Sequence, residues 1–327
     1  MTIENNDAPM KTIKLAFIGE CMIELQETGT GLTTQTFGGD TCNSAIYCAR
    51  LARNLAVEVD YVTALGDDTF SDRMMAFWER EGVGSSLVQR VRGKHPGLYY
   101  IEVDEQGERI FHYWRGEAAA KRCFDYPGSG EILEKLSDYN GIYLSGISLA
   151  IFTPESRKVL LGRLAELKRA GTRIYFDCNY RTHLWEDALL ARTIYEQIFP
   201  LTDIIFLTEE EAGLFMDEEG VAAIQDSLSK KGVGESVIKD GAGVCSVFAR
   251  NQRLEIPAET VSRVVDTTAA GDSFSGVYLL ARTFGCSPEH AAVLAHRTAA
   301  YVISHKGAIA PITDMPVSGK DIMACNH

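Results

Sequence analysis

Two hydrophobic periods take turns along this chain. IKLAFIG (13–19) is a short apolar run closed by glycine, the pattern of a strand buried on both faces. A polar, Gly- and Thr-rich stretch at 26–36 separates it from FGGDTCNSAIYCARLAR, where apolar residues recur at helical spacing and Asp40 or Thr41 is the expected cap. VEVDYVTALG (57–66) then reads as a strand and TFSDRMMAFWEREG as a helix closed by Gly82. The rhythm continues with strands at 141–146, 172–177 and 203–207 and helices at 154–170 and 186–198. ESVIKDGAG and VCSVFAR are expected as strands around a glycine turn, ahead of helices near 271–285 and 287–304. Such alternation predicts an α/β fold with a mostly parallel sheet covered on both faces. Ligands are then expected beyond the carboxyl ends of its strands.

GLYYIEVDEQGERIFHYWRGE (97–117) breaks that rhythm, with two β-rich runs around a polar turn. If residues 104–108 form the loop, Val103 faces Arg109, Ile101 faces Phe111 and Tyr99 faces Tyr113. Alternation then sets Tyr99, Tyr113 and Arg115 on one side of the hairpin. An amphipathic hairpin with exposed aromatics and a face prepared for a ligand both satisfy this pattern.

Composition narrows the function. Of the 327 residues, 46% are hydrophobic and 24% charged, the balance of an ordinary globular protein. A formal charge of -13 argues against nucleic acid or an anionic membrane as partner, so an anionic ligand must meet local positive charge. The eight cysteines lack CxxC spacing and a matching histidine cluster, which argues against zinc. Several sit in apolar stretches and read as buried free thiols, pointing to a reducing cytoplasm. MTIENNDAPMKT carries acids and no apolar segment, unlike a secretory signal, and no run reaches the length of a membrane span.

The chemistry concentrates in DTTAAGDSF (266–274). Small residues ahead of a helix let its first free N–H groups approach a ligand, and the helix dipole adds positive charge there. The amides of Ala270, Gly271 and Asp272 would line a hole for charge developing on a transferring group, with Asp272 at its mouth as proton acceptor. A helix start with an acidic first turn fits the same residues. The chain has no GxxxxGK[ST], no complete dinucleotide fingerprint, no HExxH and no GxSxG. His290 and His296 are six apart, off the spacing that puts two ligands on one helix face.

FGGDTCNSA and DTTAAGDSFSG together resemble the two signature regions of the ribokinase (PfkB-type) family of ATP-dependent sugar kinases, and the similarity in order and spacing covers nearly the whole chain. GECMIEL, PGLYYIE, YWRGEAA, LSGISLAI and DCNYRTHLW resemble the branch acting on 2-keto-3-deoxygluconate more than the fructose or ribose branches. The resemblance implies one ribokinase-like three-layer α/β/α domain over 1–327, with a small β-sheet lid from about 20–37 and 95–117. It implies ATP and Mg²⁺, and Asp272 as the base for a terminal hydroxyl, with Ala269, Ala270 and Gly271 forming the anion hole. Gly39 and Asn43 would lie beside the sugar, Tyr99, Tyr113 and Arg115 would descend from the lid, and Arg181 would come from a strand-end loop. An arginine fork suits the carboxylate of such a sugar acid. Asn179, Thr208, Lys239, Gly241, Gly243 and Gly307 would serve the nucleotide, and Glu211 would organise Mg²⁺ through water. Thr208 stands where the family usually has the Asn of Asn-x-x-Glu, and Val277 where a second small residue is commoner. Asp266 and Thr268 resemble positions near a monovalent-cation site, and the lid offers a contact between copies in such kinases.

Overall fold

The computed structural model describes residues 12–27, 31–103, 109–216 and 218–325. The expected hairpin loop 104–108 and most of the N-terminal segment lie outside the described residues. From the N-terminus come β1 (Ile13–Ile18), β2 (Met22–Glu27), β3 (Thr33–Gly38), α1 (Asp40–Ala52), β4 (Val57–Leu65), α2 (Thr69–Glu81) and β5 (Gly84–Arg90). A hairpin of β6 (Leu98–Val103) and β7 (Arg109–Trp114) follows, then α3 (Ser129–Lys135), β8 (Gly141–Ser145), α4 (Gly146–Ile151), α5 (Pro154–Arg169), β9 (Arg173–Asp177) and α6 (Ala188–Ile198). The remainder is β10 (Ile204–Thr208), α7 (Glu209–Phe215), α8 (Val221–Lys230), β11 (Glu235–Lys239), β12 (Val244–Ala249), β13 (Gln252–Pro257), α9 (Ala270–Thr283), α10 (Pro288–Ile303) and α11 (Gly319–Ala324).

Nine strands form one sheet in the order β13-β12-β11-β10-β9-β8-β1-β4-β5. The pairings from β11 through β5 are parallel, and β12 and β13 add an antiparallel edge. Period two divides each central strand between two cores. Phe17, Tyr143, Tyr175 and Phe206 face α1, α9 and α10, whereas Ile18, Leu144, Phe176 and Leu207 face the layer containing α5 and α6. Helices therefore cover both faces, which is the three-layer α/β/α arrangement. Strand order reverses between β1 and β8, and a crevice opens there beyond the carboxyl ends.

The second sheet has four strands in the order β3-β2-β6-β7. Its hairpin pairs Val103 with Arg109, Ile101 with Phe111 and Tyr99 with Tyr113, the expected register. Unexpectedly, β2 and β6 pair in parallel, so the hairpin is joined to the segment following β1.

Several expectations change. The N-cap of α1 is Gly39, not Asp40 or Thr41, because a Cβ there would stand 2.2 Å from the Glu20 carbonyl oxygen, and Asp40 turns its carboxylate to Asn179 instead. Cys286 and Cys325 are paired, a bond that the reading of several cysteines as buried free thiols did not anticipate: α11 returns to the end of α9 and joins residues 39 apart, a separation that carries no spacing signal. The other six are buried and free. Strands β3, β5 and β13 fall in stretches too polar or too irregular for the apolar pattern to mark.

Helices α1 and α9 cross closely because Gly276 has no side chain: a Cβ would lie 2.3 Å from the Ser44 carbonyl oxygen. Val277 beside it is wholly buried, so the departure at that position is a packing residue. The crossing brings the starts of both helices to the same end of the sheet.

Candidate active site

A cleft of about 640 Å³ lies above the carboxyl ends of the central strands. The starts of α1 and α9 form its floor, and Tyr99, Phe111 and Tyr113 of the small sheet stand over it. Asn43 Nδ2 donates to Asp272 Oδ2 at 2.8 Å, and the Ser44 hydroxyl donates to the Asp272 carbonyl at 3.0 Å. The two motifs, 229 residues apart, thus meet through side chains. Asn43 Oδ1 is buried without a partner among the described residues, leaving an acceptor beside the Asp272 carboxylate for a ligand hydroxyl.

The anion-binding end is built by backbone. Ala269 caps α9 with φ 61°, a left-handed conformation that a non-glycine residue adopts at a cost of about 1–2 kcal/mol. Ala270 N–H turns back to the Thr267 carbonyl at 3.3 Å. For the amides of Gly271 and Asp272 there is no acceptor among the described residues. Behind them Lys239 Nζ lies 3.0 Å from Asp177 Oδ2, and 3.4 Å from where a Cβ on Gly271 would be. Two free donors at a helix start, backed by a cation, suit a polyanion such as a nucleotide's phosphates.

Burial, followed by the negative charge of Asp40, pushes the Asp272 carboxyl up to about 7; Asp177 adds to the shift, while Asn43 and Lys239 oppose it. Asp40 and Glu211 are also raised, chiefly by burial. Lys239 is raised despite burial, held charged by Asp177 and Glu211. Asp272 is therefore a carboxylate poised near neutrality, the range in which a side chain both takes and returns a proton.

A model of the pfkB family carbohydrate kinases matches residues 12–315. The chain belongs to that family. It is 46% identical over 310 residues to the 2-dehydro-3-deoxygluconokinase of Dickeya dadantii, covering 94% of this chain and 100% of the relative. With the 2-dehydro-3-deoxygluconokinase of Escherichia coli K12 it is 45% identical over 306 residues, covering 93% and 99%. Among solved structures, a putative ribokinase II of E. coli in complex with ATP and Mg²⁺ superposes with a TM-score of 0.79 at 20% identity, covering 96% of this chain and 99% of the other. That last likeness confirms the ribokinase-like fold.

On this pfkB scaffold the cleft gathers most of the residues that the sequence nominated. Gly39, Asn43, Tyr99, Tyr113, Asn179, Arg181, Thr208, Glu211, Lys239, Gly241 and Ala269 through Asp272 all line it. Arg115 does not: its guanidinium pairs with buried Glu20 at the root of the small sheet. Tyr99 hydroxyl is likewise committed, to Glu24. Gly243 and Gly307 are outside the lining, and Gly307 N–H donates to Asp266 Oδ2 at 2.8 Å. Thr208 caps α7: its hydroxyl accepts from Glu211 N–H, and Glu211 accepts in return from the N–H groups of Thr208 and Tyr180. Each Glu211 oxygen thus accepts one backbone N–H.

Sequence reading missed Asp40 and Asp177. Asp40 accepts from Asn179 Nδ2 at 2.9 Å, and Asn179 itself has φ 31°. Asp177 closes β9, where an apolar strand ending on an acid at the binding edge was the available signal. His296, set aside as a metal ligand, lies in the cleft wall against Phe274.

Proposed function

We propose that this pfkB carbohydrate kinase transfers the γ-phosphoryl group of ATP to the terminal hydroxyl of 2-keto-3-deoxygluconate, the sugar acid also called 2-dehydro-3-deoxygluconate, giving the 6-phosphate. The observation that carries this reading is Asp272, a partly buried carboxylate poised near 7, beside two uncommitted amides at the start of α9. The substrate assignment draws its support from the relatives that match nearly end to end.

Mg²⁺–ATP, when bound, supplies the transferable phosphoryl group and neutralises part of its charge. The chain's part begins with Asn43, whose amide holds Asp272 and whose free oxygen accepts from a sugar hydroxyl. Asp272 then takes the terminal hydroxyl's proton as that oxygen attacks. Gly271 and Asp272 amides face the charge accumulating on the transferred group without having to reorient. Arg181, exposed in the cleft wall and bonded only to the Tyr180 carbonyl among the described residues, is the guanidinium for the sugar's carboxylate. Tyr113, half-exposed above the cleft, would close with the small sheet as a lid and exclude water. Arg115 holds that lid rather than the substrate.

The six buried free thiols support a reducing compartment, the cytoplasm, as the enzyme's location, although the Cys286–Cys325 pair does not follow that pattern. The small sheet's outer aromatics, with Trp114 62% exposed, support a contact between copies through the lid. Asp266 spends both carboxylate oxygens on Thr268 and Gly307, which favours a loop-holding role over ligation of a monovalent cation.

ADP release measured with 2-keto-3-deoxygluconate, its galactonate-derived epimer, fructose and ribose tests the assignment. The gluconate-derived acid should give the highest kcat/KM; equal or faster turnover of fructose refutes the substrate, and no ADP with any sugar refutes the kinase.

A further inference from the structure

Lys239 closes β11, and its side chain is only 16% exposed. Its ammonium is held from three directions. Asp177 Oδ2 on β9 lies 3.0 Å away, Ser275 Oγ in the second turn of α9 at 3.4 Å, and the ring of Phe206 on β10 sits 5.8 Å beneath it. Asp177 Oδ2 is in turn held by the hydroxyls of Ser275 at 2.8 Å and Tyr143 at 3.3 Å. Asp177, Ser275 and Tyr143 are all buried. The Lys239 head is therefore a fixed charge packed among strand ends rather than a mobile, hydrated one. What it packs against is the site itself, since a Cβ on Gly271 would be 3.4 Å from its nitrogen.

We propose that Lys239 is a positioning residue for phosphoryl transfer: through Asp177 and Ser275 it locks the first turns of α9 to the ends of β9 and β11, and it stands as a permanent positive charge beside Gly271. The inference rests on the kinase reading and changes Lys239 from a nucleotide contact into a part of the anion hole's frame. Two things follow from a locked turn. The Gly271 and Asp272 amides keep their direction while charge shifts, which is where preorganised donors act most strongly. The charged groups that act most strongly on Asp272 are Asp40 of α1, Asp177 of β9 and Lys239 of β11, and of these Lys239 favours its ionised form. A buried ion pair matters more when one partner is removed than its net contribution suggests, because the other charge is left unpaired.

Steady-state kinetics of Lys239→Met and Lys239→Arg, together with calorimetric binding of Mg²⁺–ATP, test this. Lys239→Met should lower kcat by about 100-fold, as displacement of a reacting geometry does. Both KM values and the Kd for Mg²⁺–ATP should stay within about threefold, because no ground-state contact is lost. The acid limb of kcat/KM should move to higher pH, since Asp272 loses its cation. Lys239→Arg restores the charge and should recover a substantial part of kcat. If Lys239→Met does not fold, Ser275→Ala removes one arm of the lock and should lower kcat about tenfold at unchanged KM. Weakened Mg²⁺–ATP binding at unchanged kcat would make Lys239 a nucleotide contact and overturn the proposal, as would an unchanged kcat in a folded Lys239→Met or Ser275→Ala. The binding arm needs no sugar, and unmodified enzyme that turns over no sugar at all would count against the kinase reading instead.

Discussion

Asp272 sits in a conflict that its neighbours maintain. Burial and two nearby carboxylates favour the neutral acid, while Asn43 and Lys239 favour the anion, and the balance falls at about 7. Since a base must be ionised to act, kcat/KM should fall as pH drops through that value; an acid limb below pH 5 would show that another group is the base. Stability should run the other way. A carboxyl whose folded pKa lies above its unfolded value of about 3.9 favours the fold below that lower value, and loses this contribution as pH rises through the folded one. Asp272→Asn, neutral at every pH, should therefore gain thermal stability relative to the parent as pH rises from 4 to 8, and a constant difference in Tm would contradict that origin. In the sequence, the cluster of small residues pointed to Asp272. Asp40 could not be singled out, because its part depends on Asn179, 139 residues away, turning toward it.

At the scale of elements, the site depends on two helix starts and one small sheet. Legibility followed the strength of local periodicity: the strands buried on both faces and α2, α5, α9 and α10 are visible as patterns, whereas β13 and the parallel pairing of β2 with β6 are set by long-range contacts. The hairpin register was legible because its alternation is strict. Its use of Arg115 was not, because the partner is Glu20, 95 residues earlier. Glu20 is 1% exposed in its side chain, and Gly97 leaves it room, a Cβ there being 2.6 Å from Glu20 Oε1. Arg115→Met should thus cost about 3 kcal/mol by stranding a buried carboxylate. A lowered Tm in thermal unfolding is the expected result, whereas an unaltered Tm with a raised KM for the sugar acid would return Arg115 to the substrate. Thr208→Ala should remove the cap of α7 at a cost of about 1 kcal/mol, read by denaturant midpoint, with Glu211 losing its reciprocal partner.

For the whole molecule, the fold's task is to bring residues 39–43 and 269–272 together above one edge of a sheet, and Gly276 against Ser44 is where the chain achieves it. An overall charge of -13 sets a repulsive background for a sugar acid and a nucleotide, so Arg181 and the start of α9 must supply attraction locally. The Cys286–Cys325 pair ties α11 to the segment just beyond α9, at the end of that helix opposite Asp272. Reduction should lower the unfolding midpoint without changing kcat, and equal midpoints in the two redox states would mean that the tether contributes nothing to the fold. The most direct measurement for the central assignment is a single turnover by Asp272→Asn with 2-keto-3-deoxygluconate and Mg²⁺–ATP both bound. Phosphorylated product should form about 10³-fold more slowly than in the parent while both ligands bind as before. Formation within a few fold of the parent rate would contradict Asp272 as the proton acceptor.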